Sequence, residues 1–554
     1  MNKLIIALLL FVVLIFGNSC LKEKLLDTPT PDEFITGRNE IEAIFTNCYI
    51  WSSVLYRREQ GELIEMIADN VYGTLANTMI EGSTKTRLLL TNQIVGFLYR
   101  NSYFAIRDVN GALRDIENTN VDADYKKRAI AEAKFIRGWN YYNLVRWFGG
   151  VPIRTTQFDL SQPANLARAS VREVYEQVFK DLKEAGDSLP TRNLRPATER
   201  DRANKGSAYA MLASAYLTYG QLFNDNDALT KANGYADSVI NSARYNLLSN
   251  YADLFDVTKE ANSYNEIIFR VPIIGDANNL GGSKPSFYNP ITLAATAFGS
   301  GAGQGLARVQ PFFVEPYFAN EYVNDYRVET NFHTNWINRN NNQNVYTFPR
   351  QNPIAITQFS NESTPYIAKY KDITGFSRDN HNNDVPLIRY SEMFFIKAEA
   401  LNELNGPTTA AVNAFNMVRA RARLANGVAR TAPADLALVG LTKQTFRLKI
   451  LEERSLEFFA EFQRWYDLKR MKHTDGRTLY EYQFDVYLPS LPQGLPTYNR
   501  TTRVWSAGRT EPNYLMMSAT GTRLPGVNAA TYLYLPIPQA EMLTNNLMTQ
   551  NPGY

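Results

Sequence analysis

Residues 122–152 read DADYKKRAIAEAKFIRGWNYYNLVRWFGGVP. Ala129, Ala133, Phe135, Ile136, Trp139, Tyr142, Leu144, Val145 and Phe148 recur there at helical spacing. Asp122 and Asp124 precede them as amino-terminal caps, and Gly149, Gly150 and Pro152 stop the run. Alanines let a neighbouring helix come close while aromatic rings fill the space between pairs, which is how stacked helix hairpins pack. The stretch therefore predicts a mainly α fold built from helix pairs.

Working outward, the same texture extends over residues 39–248. Helical spacing recurs over 39–58 (Ile41, Ile44, Phe45, Cys48, Tyr49), 97–118, 170–188, 201–219 and 227–241, with Ala208, Leu212, Ala213, Ala215 and Tyr216 dense on one side. No clean repeat register emerges, so the expected architecture is an irregular tetratricopeptide-like superhelix. Over 249–386 Gly, Asn and Pro multiply and aromatics lose their period, and only 267–274 reads as a strand. Loops this long are usually functional or disordered, and the aromatic density argues against disorder. This predicts a loop-rich second lobe. Helices resume over 387–403 and 409–424 and in one long helix over 442–472, followed by a loop-rich tail and a short helix at 539–544. Residues 387–554 are thus expected to complete the scaffold begun by 39–248.

The amino terminus has its own logic. An apolar run from Leu4 to Phe16 follows Lys3, too short for a spanning helix of about 20 residues but suited to a signal peptide over 1–19. Cys20 follows Gly17, Asn18 and Ser19, the position at which bacterial lipoproteins are cleaved and acylated. Residues 20–38 then form a lipidated tether, each buried methylene contributing about 0.8 kcal/mol to membrane attachment. With Cys20 acylated, Cys48 has no partner, and the core alone must hold the fold. The 58 basic and 55 acidic residues nearly cancel, which leaves no basic field for nucleic acid.

Several clusters invite a chemical reading. Glu453, Glu457 and Glu461 fall at steps of four, with Arg454 and Arg464 near them, and predict an ion-pair network along one helix; catalytic carboxylates of a glycoside hydrolase are the rival reading. His333, His381 and His473 lack zinc-ligand spacing. The run from Asp379 to Asp384 is oxygen-rich, but it lacks the glycine and distal glutamate of a calcium loop and reads as a solvated turn. Gly299, Gly301, Gly303 and Gly305 read as a flexible segment. No catalytic residue, metal or cofactor is expected, Ca2+ having only that one unsupported run. A sugar site needs an apolar ring for the CH face of a pyranose and polar groups for its hydroxyls. Trp336 with Asn335 and Arg339, Tyr288 with Asn289, and Asp69 and Asn70 with Tyr72 are the candidates; rings packed on their own lobe are the alternative.

Taken in chain order, a set of motifs resembles the SusD/RagB outer-membrane lipoproteins of Bacteroidetes. They are Ser19-Cys20 and Leu26-Asp27-Thr28-Pro29, then Ala133-Lys134-Phe135-Ile136-Arg137, Tyr141-Tyr142-Asn143-Leu144-Val145 and Phe148-Gly149-Gly150-Val151-Pro152. Next come Arg389-Tyr390-Ser391-Glu392, Ala398-Glu399-Ala400, and Asn416-Met417-Val418-Arg419-Ala420-Arg421. Glu453-Arg454 and Arg464-Trp465-Tyr466-Asp467-Leu468-Lys469-Arg470 follow, then Leu535-Pro536-Ile537-Pro538 and Gln550-Asn551-Pro552-Gly553-Tyr554. The chain departs from the pattern at Gly17, Gly138 and Ser391. The resemblance implies a tetratricopeptide-like helical fold with a less regular ligand lobe, and a surface-exposed outer-membrane lipoprotein anchored through Cys20. It also implies capture of oligosaccharide or polysaccharide for a SusC-like TonB-dependent barrel, with peptides as the alternative cargo and no enzymatic activity. Leu21-Lys22-Glu23-Lys24 resembles the family's surface-export signal.

Overall fold

In the computed structural model, residues 37–57, 59–73, 88–157, 165–276, 280–293, 303–319, 321–346, 365–377, 379–490, 498–499, 504–505 and 533–554 are described. The leader, Cys20, the tether up to residue 36, Gly299 and Gly301 lie outside them, and Arg38, expected to end the tether, begins the first helix. The helices of the first half are α1 (Arg38–Ser53), α2 (Glu59–Ile67), α3 (Gln93–Asn118), α4 (Ala123–Phe148), α5 (Val171–Ser188), α6 (Lys205–Phe223) and α7 (Asn226–Ile240).

Helix α4 is the stretch read first, and it is buried on nearly every side because it packs against α1, α3 and α5. Asp122 accepts from the Tyr125 amide at 2.8 Å, and Gly149 closes the helix at φ +73°. A Cβ on Gly138 would sit 3.0 Å from the Leu182 side chain and 3.2 Å from that of Asp181, so glycine brings α5 onto α4. Phe135 and Trp139 meet Phe269 edge-on, with ring centroids 5.0 and 5.1 Å away. Cys48 is a free, buried thiol of α1.

Consecutive helices from α3 to α7 pack in sequence, and the stack then jumps along the chain. Helix α7 packs against α11 (Tyr390–Asn405), which is followed by α12 (Thr409–Ala422) and α13 (Lys443–Glu457). The intervening segment holds the short helices α8 (Lys284–Tyr288), α9 (Pro311–Ala319) and α10 (Tyr326–Asn331). Its strands, joined by β1 from the first third of the chain, contradict the expectation of a single one. β1 (Val71–Gly73), β3 (Ala307–Val309), β7 (Tyr366–Ile367) and β4 (Phe332–His333) form an antiparallel sheet in the order β1-β3-β7-β4. β5 (Asn335–Ile337) pairs with β6 (Asn344–Tyr346), and β2 (Ile267–Val271) pairs with β8 (Val385–Arg389). Strand β8 takes residues expected to begin a helix, because Leu387 and Ile388 extend against β2 before α11 starts at Tyr390.

Two further expectations fail for local reasons. The helix read over 39–58 ends at Ser53, and α2 begins six residues later. The long helix read over 442–472 is two, α13 and α14 (Arg464–Arg470), separated by a turn in which Ala460 and Phe462 take φ of 58° and 64°. The Glu65 carboxylate holds that turn, accepting the amides of Ala460 at 3.2 Å and Phe462 at 2.8 Å. Those bonds compensate a left-handed backbone that costs L residues about 1–2 kcal/mol each. Among the described residues no helix is long and apolar enough to cross a membrane.

Candidate ligand-binding surfaces

Two polar knots make the frame. In the first, Glu457 of α13 is fully buried and accepts from Arg389 Nη1 at 2.8 Å, Arg327 Nη1 at 3.1 Å and Arg421 Nη2. Glu453 receives Arg419 Nε at 2.7 Å and Arg327, while Glu461 receives Arg389 Nε at 2.7 Å and Lys369 Nζ at 2.5 Å. Burial alone would raise the Glu457 carboxyl, but Arg421, Arg389 and Arg327 outweigh it and hold it far below the usual range. Burial is likewise outweighed at Glu453, by Arg327 and Arg419. The expected network therefore exists, but its pairing runs between elements and not along one helix. Arg454 binds Asp467 at 2.8 and 2.9 Å, and Arg464 binds Asp69.

The second knot joins the end of α4 to a segment 403 residues later. Asn551 Nδ2 donates to the carbonyls of Phe148 at 3.0 Å and Leu535 at 2.7 Å. Gln550 exchanges bonds with the Ile537 backbone at 2.7 and 2.9 Å. Arg168 reaches the Gly150 and Phe148 carbonyls and Asn551 Oδ1. The motif that closes α4 and the motifs of the last twenty residues are thus parts of one structural joint.

Of the predicted ligand residues, Trp336, Asn335 and Arg339 come together on the β5–β6 hairpin. The Trp336 ring turns inward at 6% exposure, donates to Thr292 Oγ1 at 2.8 Å and meets Tyr366 edge-on at 5.2 Å. With Leu293 and Val345 it forms a small apolar cluster separate from the main core. Asn335 and Arg339 are exposed beside it. The other candidates are spent on the frame. Asp69 takes Arg464 bidentately at 2.7 Å, and Asn70 Nδ2 donates to Glu65 at 2.6 Å. Tyr72 is buried in β1. The Tyr288 hydroxyl binds Glu62, which also takes Lys284 at 3.0 Å. Asn289 holds the Pro285 carbonyl and lies 2.8 Å from His333 Nε2.

Titratable groups under this lobe follow their burial. Desolvation pushes Glu65 up to about 7 against the pull of the Asn70 amide and the Phe462 N–H, and it lowers His333 to about 4. The expected solvated turn over Asp379–Asp384 is instead buried at Asn380, His381 and Asn383. Its oxygens serve protein donors: Asn380 Oδ1 accepts from Gly281 N at 2.8 Å and Asp384 Oδ1 from Ile273 N at 2.7 Å. Among the described residues no His, Cys, Asp and Glu cluster could hold a metal ion.

Sequence reasoning missed a groove of about 960 Å³ beside the second knot. Helix α3 forms its floor with Phe97, Arg100, Tyr103, Phe104 and Arg107; Pro152 and Arg154 line it, as does α15 (Gln539–Thr544) with Gln539 and Glu541. The signal was present in α3, where Val95, Leu98, Ala105, Ile106 and Val109 are buried on one face while rings and guanidiniums alternate on the other. That second face was read only as part of a helix.

A sequence model described as the SusD family matches residues 265–554, more than half of the chain. The chain belongs to the SusD family. A second, described as starch-binding associating with outer membrane, matches residues 27–217. SusD-like protein P2 of Formosa agariphila is 28% identical over the full length of both chains. A SusD homologue from Bacteroides thetaiotaomicron shares the fold with a TM-score of 0.72 at 22% identity, covering 95% of this chain and 98% of its own. Surface glycan-binding protein A from the same organism, solved in complex with laminarihexaose, superposes with a TM-score of 0.67 at 19% identity, over 93% and 99% of the two chains. The tetratricopeptide-like helical architecture expected from the sequence is that of the SusD fold.

Proposed function

We propose that this SusD-family chain is a non-catalytic outer-membrane lipoprotein, tethered at the cell surface through Cys20, that captures oligosaccharide and passes it to a SusC-like TonB-dependent barrel. Family membership is the observation that carries the reading. Support comes from the starch-binding description of the model matching the first part of the chain and from the neighbour solved in complex with laminarihexaose. The carboxylates that a hydrolase would use, Glu453 and Glu457, are counter-ions locked in the frame, which favours binding over catalysis. On this reading the exposed Asn335 and Arg339 beside Trp336 meet sugar hydroxyls, and lipid tethering raises the effective concentration so that a modest affinity suffices.

Calorimetric titration of the full chain in detergent against a glycan panel tests this. Heat with at least one glycan class is expected, and Asn335→Ala or Arg339→Ala weakens it without shifting the melting temperature. Silence across all glycans with binding in a fluorescent peptide library would replace sugar by peptide as cargo. Release of shortened glycan during long incubation would overturn the non-catalytic reading.

A further inference from the structure

The groove along α3 is built for more than neutral sugar. Phe97, Arg100, Phe104 and Arg107 follow one another at steps of three and four on one helix face. Three guanidiniums, those of Arg100, Arg107 and Arg154, line the cavity against the single carboxylate of Glu541. Arg100 is exposed and makes no ion pair among the described residues. Arg107 is 58% exposed; its Nε lies 2.7 Å from Asp108, a carboxylate shared with Trp51 at 3.0 Å and Asn47 at 2.8 Å. The cavity volume is near the top of the range for small-molecule sites, about 300–1,000 Å³, which suits an oligomer.

One detail of the floor lacks a purpose in folding. Gly96 lies inside a 26-residue helix, where glycine is unfavourable, yet a Cβ there would meet nothing within 4 Å. Packing therefore does not require it, whereas bare backbone lets a ligand approach closely.

We infer that this groove binds an anionic oligosaccharide, with Arg100 and Arg107 pairing its carboxylate or sulfate groups and Phe97 and Phe104 packing on its sugar faces. Guanidinium forks match both oxyanions bidentately, and pyranose CH faces bury well on aromatic rings. The inference rests on the glycan-binding reading and adds a charge class to it.

The full chain in detergent is titrated with trigalacturonate, a sulfated galactan oligosaccharide and neutral laminarihexaose. Binding of an acidic probe is expected, weakening as salt rises; uronate alone, sulfate alone or both supports the groove and tells which oxyanion it takes. The Arg100→Ala/Arg107→Ala double variant loses tenfold or more of that affinity and keeps any neutral-glycan binding. Gly96→Ala weakens acidic binding while its melting temperature stays level or rises, which separates ligand contact from folding. Binding of the neutral probe with none of the acidic ones overturns this inference alone, and silence with every glycan overturns the glycan reading as well. Acidic binding indifferent to these variants places the site elsewhere and overturns the groove. Loss of barrel co-purification in the double variant, with glycan affinities unchanged, makes the groove a protein interface and equally overturns it.

Discussion

Replacing Glu457 by Gln tests the frame at its centre. The carboxylate is fully buried and accepts from Arg389, Arg327 and Arg421. Gln keeps the shape but removes the charge and turns an NH2 group toward a guanidinium. Removing one member of a buried ionic group costs about 3–5 kcal/mol, because the remaining charges stay buried without compensation. Over 554 residues, an unfolding entropy of about 2.1 cal/mol/K per residue makes each kcal/mol worth roughly 1 °C. The melting temperature at neutral pH should therefore fall by about 3–5 °C, read by scanning calorimetry. The pH dependence adds a second check. The folded-state pKa of Glu457 lies far below the ordinary 4.5, so its stabilisation is complete above 4.5 and is lost as acid protonates the group. The gap between native and variant should accordingly narrow below pH 4.5. A variant melting within about 1 °C of the native chain, or a gap constant into acid, would refute the claim that this network holds the helices together. The exposed Lys183–Asp187 pair is the control: Lys183→Met should leave the melting temperature unchanged, since such pairs contribute little.

Two further outcomes follow from the same reasoning. Gly150→Ala should destabilise more than Gly149→Ala in urea unfolding. A Cβ at 150 would lie 2.1 Å from the Ala169 carbonyl oxygen and force the second knot apart, whereas at 149 the strain of φ +73° and ψ −132° costs about 1–3 kcal/mol. NMR titration of His333 should give a midpoint near 4, and its folded value below the ordinary 6.5 means stability present above 6.5 that is lost as the pH falls toward 4. His333→Gln should flatten that part of the pH–stability profile.

Sequence pattern was most informative where one helix face alone decides burial. The Asp122 cap and the Gly149 stop of α4 and the bounds of α15 could be read from spacing and residue type, although Asp124, expected as a second cap, lies inside the first turn. It misled where a distant group sets the backbone. Nothing between Glu457 and Arg464 announces a break, because the Ala460–Phe462 turn is held by Glu65, almost 400 residues earlier. It also misassigned partners: Arg454 and Arg464 lie a turn from Glu457 and Glu461, yet they bind Asp467 and Asp69. Among the ligand candidates, Asn335 and Arg339 reached the surface. Asp69 and Tyr288 did not, since a loop residue and a buried strut carry the same one-dimensional signature.

From sequence alone came a mainly helical stack of hairpins and an irregular middle, because helical period and caps are local properties. Tertiary structure alone decided which charges meet, that the carboxyl-terminal segment docks on the end of α4 and that an aromatic and arginine stripe on α3 borders a groove. Those outcomes depend on distances between segments hundreds of residues apart, which only the packed chain sets.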